Sequence, residues 1–106
     1  MAKTNIINKG VHCKIRVYGS GLIAGTNYTA CLYYSAKKTE NRAVATADAQ
    51  EDTDTSTIFC LFDFTPEQTA ELKAGTAILE VYDTDTLQQM MYDDAFATVR
   101  STSIKD

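Results

Sequence analysis

The chain has 106 residues, 44% of them hydrophobic, and a net charge of −4. This length suits one domain around one hydrophobic core, and no apolar run approaches the roughly 20 residues that a membrane-spanning helix needs. The first ten residues lack the apolar segment of a signal peptide, which predicts a protein that stays in the cytoplasm of the cell that makes it. Acidity without clustered Arg, Lys and aromatic residues argues against nucleic acid as the main partner.

The first third of the chain predicts two strands. Residues 1–9 are polar except for two isoleucines and predict an N-terminal arm or an edge strand. In residues 11–18, apolar and polar side chains alternate, so we expect one face in the core and the other in water. Residues 28–35 are apolar on both faces, which indicates a central strand or a strand covered by a partner.

Residues 42–50 have alanine at every second position, from Ala43 to Ala49. The alternation favours a strand at a sheet edge or under a close neighbour, and a helix is the alternative because alanine favours helices. Residues 51–57 predict a polar loop. Residues 84–86 predict a turn, 87–92 a further strand, 96–100 a closing strand and 101–106 a tail.

Residues 58–83 predict strand, short helical turn and strand. The first run puts Ile58, Cys60, Phe62 and Phe64 on one side of the pleat. Thr65 then suits an N-cap, Pro66 the first helical position and Gln68 a capping box, while Gly75 suits the left-handed residue that ends the turn. The complete pattern predicts an all-β antiparallel sandwich of seven or eight strands, with the helical turn near 66–73.

The same stretch resembles the immunoglobulin-like domains of bacteriophage virions, in particular the N-terminal domain of phage baseplate upper proteins. The matching positions are Phe64, Thr65, Thr69, Ala70, Leu72, Gly75, Val81, Tyr82 and Asp83. Residues 25–30 and 96–99 are similar to further strands of that domain. The resemblance implies a structural role in a virion, assembled from protein made in the host cytoplasm.

Catalytic and metal-binding patterns are missing from the sequence. It has one histidine, His12, and neither a nucleophile elbow nor a P-loop, so we expect no enzyme. The carboxylates around Asp52 and Asp54 lack the register of a calcium loop, so we expect neither a metal nor a cofactor. Cys13, Cys31 and Cys60 are expected to be buried free thiols, with a Cys31–Cys60 bridge as the alternative.

Charge and tyrosines indicate where partners bind. Residues 1–42 carry seven basic side chains and one acidic one, whereas residues 43–106 carry three basic and thirteen acidic ones. This split suits contact with charged neighbours or with other copies of the chain, and ordinary solubilising surface is the alternative. Outward tyrosines and methionines are typical interface anchors, with core packing as the alternative. The candidate interface residues are Lys37, Lys38, Arg42, Tyr33 and Met91.

The leading functional hypothesis is therefore a non-enzymatic auxiliary or decoration protein on the capsid of a tailed phage, bound to other virion proteins and with self-association as a further option. One alternative is a tail, baseplate or neck adaptor. Another, from a different class, is a glycan-binding module displayed on the virion, because outward tyrosines can stack on sugar rings.

Overall fold

The computed structural model describes residues 5–19, 21–34 and 42–101. These residues form a β-rich fold with one short helix. The elements are β1 (Asn5–Asn8), β2 (Cys13–Tyr18), β3 (Asn27–Tyr34), β4 (Ala43–Asp48), β5 (Gln50–Asp52), β6 (Thr57–Phe64), α1 (Pro66–Ala70), β7 (Gly75–Asp83) and β8 (Gln89–Arg100). The single strand predicted over residues 42–50 is therefore divided at Ala49 into two strands, β4 and β5.

The strands form two sheets packed face to face. Sheet A has the order β1-β8-β7-β3-β4 and is curled, while sheet B has the order β2-β6-β5. This order is that of an immunoglobulin sandwich, and the predicted all-β sandwich is confirmed. All pairs are antiparallel except β1–β8, which is parallel. The central position of β3, between β7 and β4, explains why this strand is apolar on both faces.

The main core lies between the sheets and follows the predicted alternation. Ile15 and Val17 of β2 face Ala77, Leu79 and Val81 across the sandwich, and all five are buried. The largest fully buried side chains add aromatic and aliphatic volume, and they are Tyr28, Phe62, Phe64, Leu32, Leu72, Leu79 and Val81. The alanines of β4 also point inward, which lets this edge strand approach sheet B closely.

The helix α1 between β6 and β7 begins as the sequence predicts. The Thr65 hydroxyl accepts a hydrogen bond from the Gln68 N–H, and the Gln68 side chain accepts one from the Thr65 N–H, which completes a capping box. Gln68 Nε2 also donates to the Val44 carbonyl at 2.7 Å, so α1 covers part of the free edge of β4.

Two predictions about local structure are wrong. Gly75 does not end the helix, which stops at Ala70 with Glu71 as its C-cap; instead Gly75 opens β7 at φ 129°, packed against Tyr34. The strands predicted at 87–92 and 96–100 are one strand, because a register shift opposite residues 94–96 absorbs the irregular sequence. Of the two alternatives predicted for residues 1–9, the structure shows the edge strand: Asn5–Asn8 form β1, anchored by the buried side chain of Ile7.

The strands run between two opposite ends of the molecule. The acidic end consists of residues 21–26, 48–57 and 83–88, where β2, β4, β6 and β7 end or begin. The opposite end consists of residues 8–12, 64–75 and 99–101. Strand β8, with twelve residues, spans about 40 Å, so the strands follow the 44 Å axis of the 44 × 29 × 29 Å molecule.

Candidate interaction surfaces

The outer face of sheet A holds a second, small apolar cluster. Cys31, Tyr33 and Ile78 are buried there with Val44 beside them, separate from the core between the sheets. Burial raises the pKa of Tyr33 to about 12, and the nearby Glu80 carboxylate and Tyr92 hydroxyl contribute to the same shift. Tyr33 does point outward, as two consecutive tyrosines require, but only 5% of it is exposed. In this conformation it offers little surface to a partner.

Arg42, the described member of the predicted basic segment, lies beside that cluster. It lines an open pocket of about 270 Å³ with Cys31, Glu80, Tyr82 and Leu87. A guanidinium, a carboxylate and exposed apolar surface therefore meet on one face. Lys37 and Lys38 lie outside the described residues, so their part in an interface stays a prediction.

Met91 lines a cleft between the sheets instead of standing alone on the surface. The cleft has a volume of about 220 Å³ and opens beside the glycine-rich loop after β2; it is lined by Val17, Tyr18, Gly19, Gly21, Leu22, Val81, Met90 and Met91. Half-buried Met90 and Met91 also pack against the main core. The cleft has room for one apolar side chain of a partner protein. The role of Met91 in such a contact stays a prediction.

The outer face of sheet B carries an aromatic and cationic group that the sequence analysis did not single out. The Arg16 guanidinium carbon lies 4.5 Å from the centre of the Phe59 ring, and Arg16 Nη1 donates to the Tyr18 hydroxyl at 3.2 Å. Tyr18 contacts the same ring and is 53% exposed. The alternation in β2 does place Arg16 and Tyr18 on the solvent face, but the position of Phe59 opposite them follows from the β2–β6 register.

The cysteines are free thiols in different surroundings. Cys31 lies on the outer face of sheet A and Cys60 in the main core, so the two do not face each other across the sheets. Burial raises the pKa of the Cys60 thiol to about 11 and also raises the pKa of Cys13. Cys13 is partly exposed, so the expectation that all three thiols are buried is wrong.

Ionisable groups in the described part of the chain do not assemble into a recognised catalytic or metal site. His12 precedes β2, and its Nε2 forms an exposed hydrogen bond with the Asp63 carboxylate. Within the described ranges, no three His, Cys, Asp or Glu side chains are placed to hold a metal ion. The helix that the structure describes there, α1, is too short to cross a membrane.

Comparisons with protein-family profiles, curated proteins and solved structures return no match for this chain.

Proposed function

We propose that this chain is a non-enzymatic structural subunit of a tailed-phage virion, most simply an auxiliary protein that decorates the capsid. The observation that supports the proposal best is the unit β6–α1–β7, which occupies the same residues as the resemblance to virion immunoglobulin-like domains. Within it, Thr65 and Thr69 hold structural hydrogen bonds and Leu72 is buried. These residues hold the helical turn on the sandwich. Because their role is structural, the stretch can resemble the virion domains without containing catalytic residues.

The surfaces of the domain suit protein–protein contacts. Large apolar side chains are exposed at both ends and on both flanks; they are Ile6, Val11, Tyr18, Ile23, Leu87 and Tyr92. Exposed aromatic and apolar groups beside Arg are the composition of interface anchors. A small rigid sandwich with several such sites is suited to bridging neighbours in a repeated assembly.

The copy number in purified particles tests this proposal. We expect quantitative mass spectrometry of particles from the phage that encodes the chain to find hundreds of copies, in a constant ratio to the major capsid protein. A non-structural phage protein measured in the same preparation sets the level of contamination. A dozen copies or fewer would favour the adaptor alternative, and a level equal to the contamination control would overturn both virion roles.

Tyr18 supports the glycan-binding alternative. Its exposed ring stands between the 220 Å³ cleft and a second open pocket lined by Gly19, Ser56, Thr57 and Ile58, where a sugar ring can stack. A glycan array decides the matter: saturable binding lost in Tyr18→Ala but kept in Tyr92→Ala supports this function. Absence of binding by the wild-type chain contradicts it.

A further inference from the structure

The sandwich is closed along one side and open along the other. On the closed side, the chain passes from β4 of sheet A to β5 of sheet B at the buried residue Ala49. On the open side, β2 ends sheet B, and among the described residues no strand pairs with β2 on the side away from β6. Backbone N–H and C=O groups along this free edge can therefore pair with a further strand.

Two hollows follow the free edge of β2. The first is the 220 Å³ cleft beside Met90 and Met91, which Val17 and Tyr18 line from the end of β2. The second has a volume of about 330 Å³ and is lined by Asn5, Ile6, Ile7, Cys13, Lys14, Ile15, Arg16 and Phe96. Alternate side chains of a strand lie about 7 Å apart, so one extended segment along β2 can place apolar side chains in both hollows.

The main core is incompletely covered along this open side. Half-buried side chains pack against the core there, and they are Cys13, Met90, Met91 and Phe96. At the rim, Ile6 and Tyr18 are each 53% exposed. A strand added beside β2 would remove part of this apolar surface from water, which favours its binding.

The outward side chains of β2 determine which strand fits. Lys14 and Arg16 are exposed on the outer face of sheet B, and an added strand would lie directly beside them, at a spacing of about 4.8 Å. Asp63 and Asp52 belong to β6 and β5, which lie further from the added strand, and Asp63 is already bonded to His12. Acidic side chains on the outer face of an added strand would therefore complement the two cations.

The neighbouring edge of sheet A is a poorer place for a strand. β1 covers β8 over residues 97–100. Before that stretch, Asp93 pairs in register with the core residue Leu79, which places a carboxylate on the inner side of β8. Inward-pointing charges protect a sheet edge from further pairing, and this one would also repel an acidic strand. The edge of β2 is thus the one open to such a strand.

Segments of this chain fit the β2 edge less well than an acidic strand does. Two β2 edges paired with each other would place Lys14 and Arg16 of one copy opposite the same cations of the other, which is destabilising. Residues 1–4 carry Lys3 and no acidic side chain, and residues 102–106 carry one side chain of each sign. The charges therefore favour a segment of another protein.

We propose that the free edge of β2 binds an extended segment of a partner protein as a fourth strand of sheet B. The segment alternates apolar and acidic residues. Its apolar side chains enter the two hollows, and its acidic side chains lie beside Lys14 and Arg16. Backbone hydrogen bonds to β2 supply affinity, and the alternate side chains supply specificity. The inference goes beyond the proposed place in a virion, because it rests on the β2 edge alone.

Nuclear magnetic resonance of the full, ¹⁵N-labelled chain tests the proposal with two synthetic peptides. One is Thr-Val-Glu-Val-Glu-Val-Glu-Val-Thr, and the other has lysine in place of each glutamate. We expect the glutamate peptide to shift the amide signals of residues 13–18 and to slow their hydrogen exchange, with a dissociation constant of about 0.1–1 mM. The lysine peptide should bind at least about tenfold more weakly. A glutamate peptide with proline at two of its valines should lose binding, because proline cannot donate to a strand ladder.

Reversing the charge of the edge sharpens the test. Lys14→Glu with Arg16→Glu should reverse the preference, so that the lysine peptide binds more tightly than the glutamate peptide. Lys73→Glu with Arg100→Glu is the matched control, since both residues are exposed outside β2 and both double variants change the net charge from −4 to −8. The control should keep the preference of the wild type. Melting temperatures establish that each variant is folded, and the two peptides on the wild type test the proposal even where a variant is not.

Unchanged signals of residues 13–18 at about 2 mM glutamate peptide would overturn the proposal. Equal affinity of the wild type for the two peptides would also overturn it, as would a preference that the control variant reverses too. Peptide binding and copy number in particles are separate measurements, so failure of the β2 site leaves the proposed place in a virion standing, and the converse also holds.

Discussion

Replacing Thr69 by valine tests how the helical turn is held on the sandwich. Thr69 is fully buried, and its hydroxyl accepts from the Gly10 N–H at 3.0 Å and donates to the Val11 carbonyl at 2.9 Å. Valine preserves the shape and removes the hydroxyl, which leaves two partly buried backbone groups without this partner. Because both groups are only partly buried, each costs about 1–2 kcal/mol, so we expect the free energy of unfolding to fall by about 2–4 kcal/mol.

For a domain of this size that loss corresponds to a melting temperature lower by roughly 10–25 °C. Urea unfolding followed by tyrosine fluorescence measures the change, since the chain has six tyrosines and no tryptophan. Thr69→Ser keeps the hydroxyl and should lose about 1 kcal/mol for the missing methyl group. Thr46→Val, on the exposed face of β4, is the control. Equal stability of Thr69→Val and Thr46→Val would refute the reasoning.

Cys60, Gln68 and the pair Lys37 and Lys38 provide three further tests. Burial raises the pKa of Cys60 to about 11 from an ordinary 9, because the folded state favours the neutral thiol over the thiolate. The contribution of the thiol to the free energy of unfolding is therefore complete below pH 9 and should fall as the pH rises through 11. Urea unfolding midpoints of the wild type and of Cys60→Ala, measured across this pH range, test the expectation. If the two midpoints change equally with pH, the expectation is contradicted. Gln68→Ala removes both the capping-box bond and the Val44 contact and should lower the free energy of unfolding by about 1–2 kcal/mol, measured by the same urea titration; an unchanged midpoint would show that neither bond matters. Reversing Lys37 and Lys38 to Glu should lower occupancy on particles, quantified by mass spectrometry, without lowering the melting temperature much. Occupancy that is indifferent to both the reversal and salt would instead place attachment on apolar contacts.

The sequence predicted most of the fold because alternation and capping are local signals. The residues of β6 and β7 that face the core are the predicted ones, and the capping box at Thr65 forms as expected. The break between β4 and β5 at Ala49 and the fusion of the last two predicted strands into β8 did not follow from local pattern. Both depend on how strands pair across the sheet, and a bulge lets an irregular stretch remain paired.

The candidate surfaces were less predictable than the fold. Charge along the sequence suggests a basic and an acidic half, but the strands interleave, and Arg42 of the first half lines one pocket with Glu80 and Leu87 of the second. The sequence predicts a strand at Leu87, whereas the structure has a left-handed backbone there. Nothing in Thr86-Leu87-Gln88 signals that conformation. The position of Phe59 under Arg16 depends on cross-strand register, which a single sequence does not contain.

A cryo-EM map of purified virions of the proposed phage tests the proposed place of this chain most directly. We expect density for a sandwich of 44 × 29 × 29 Å at repeated positions on the capsid, large enough to hold both sheets and the turn at Pro66–Ala70. A map in which every density of the capsid, neck, tail and baseplate is assigned to other chains, with none left for this one, would contradict the account.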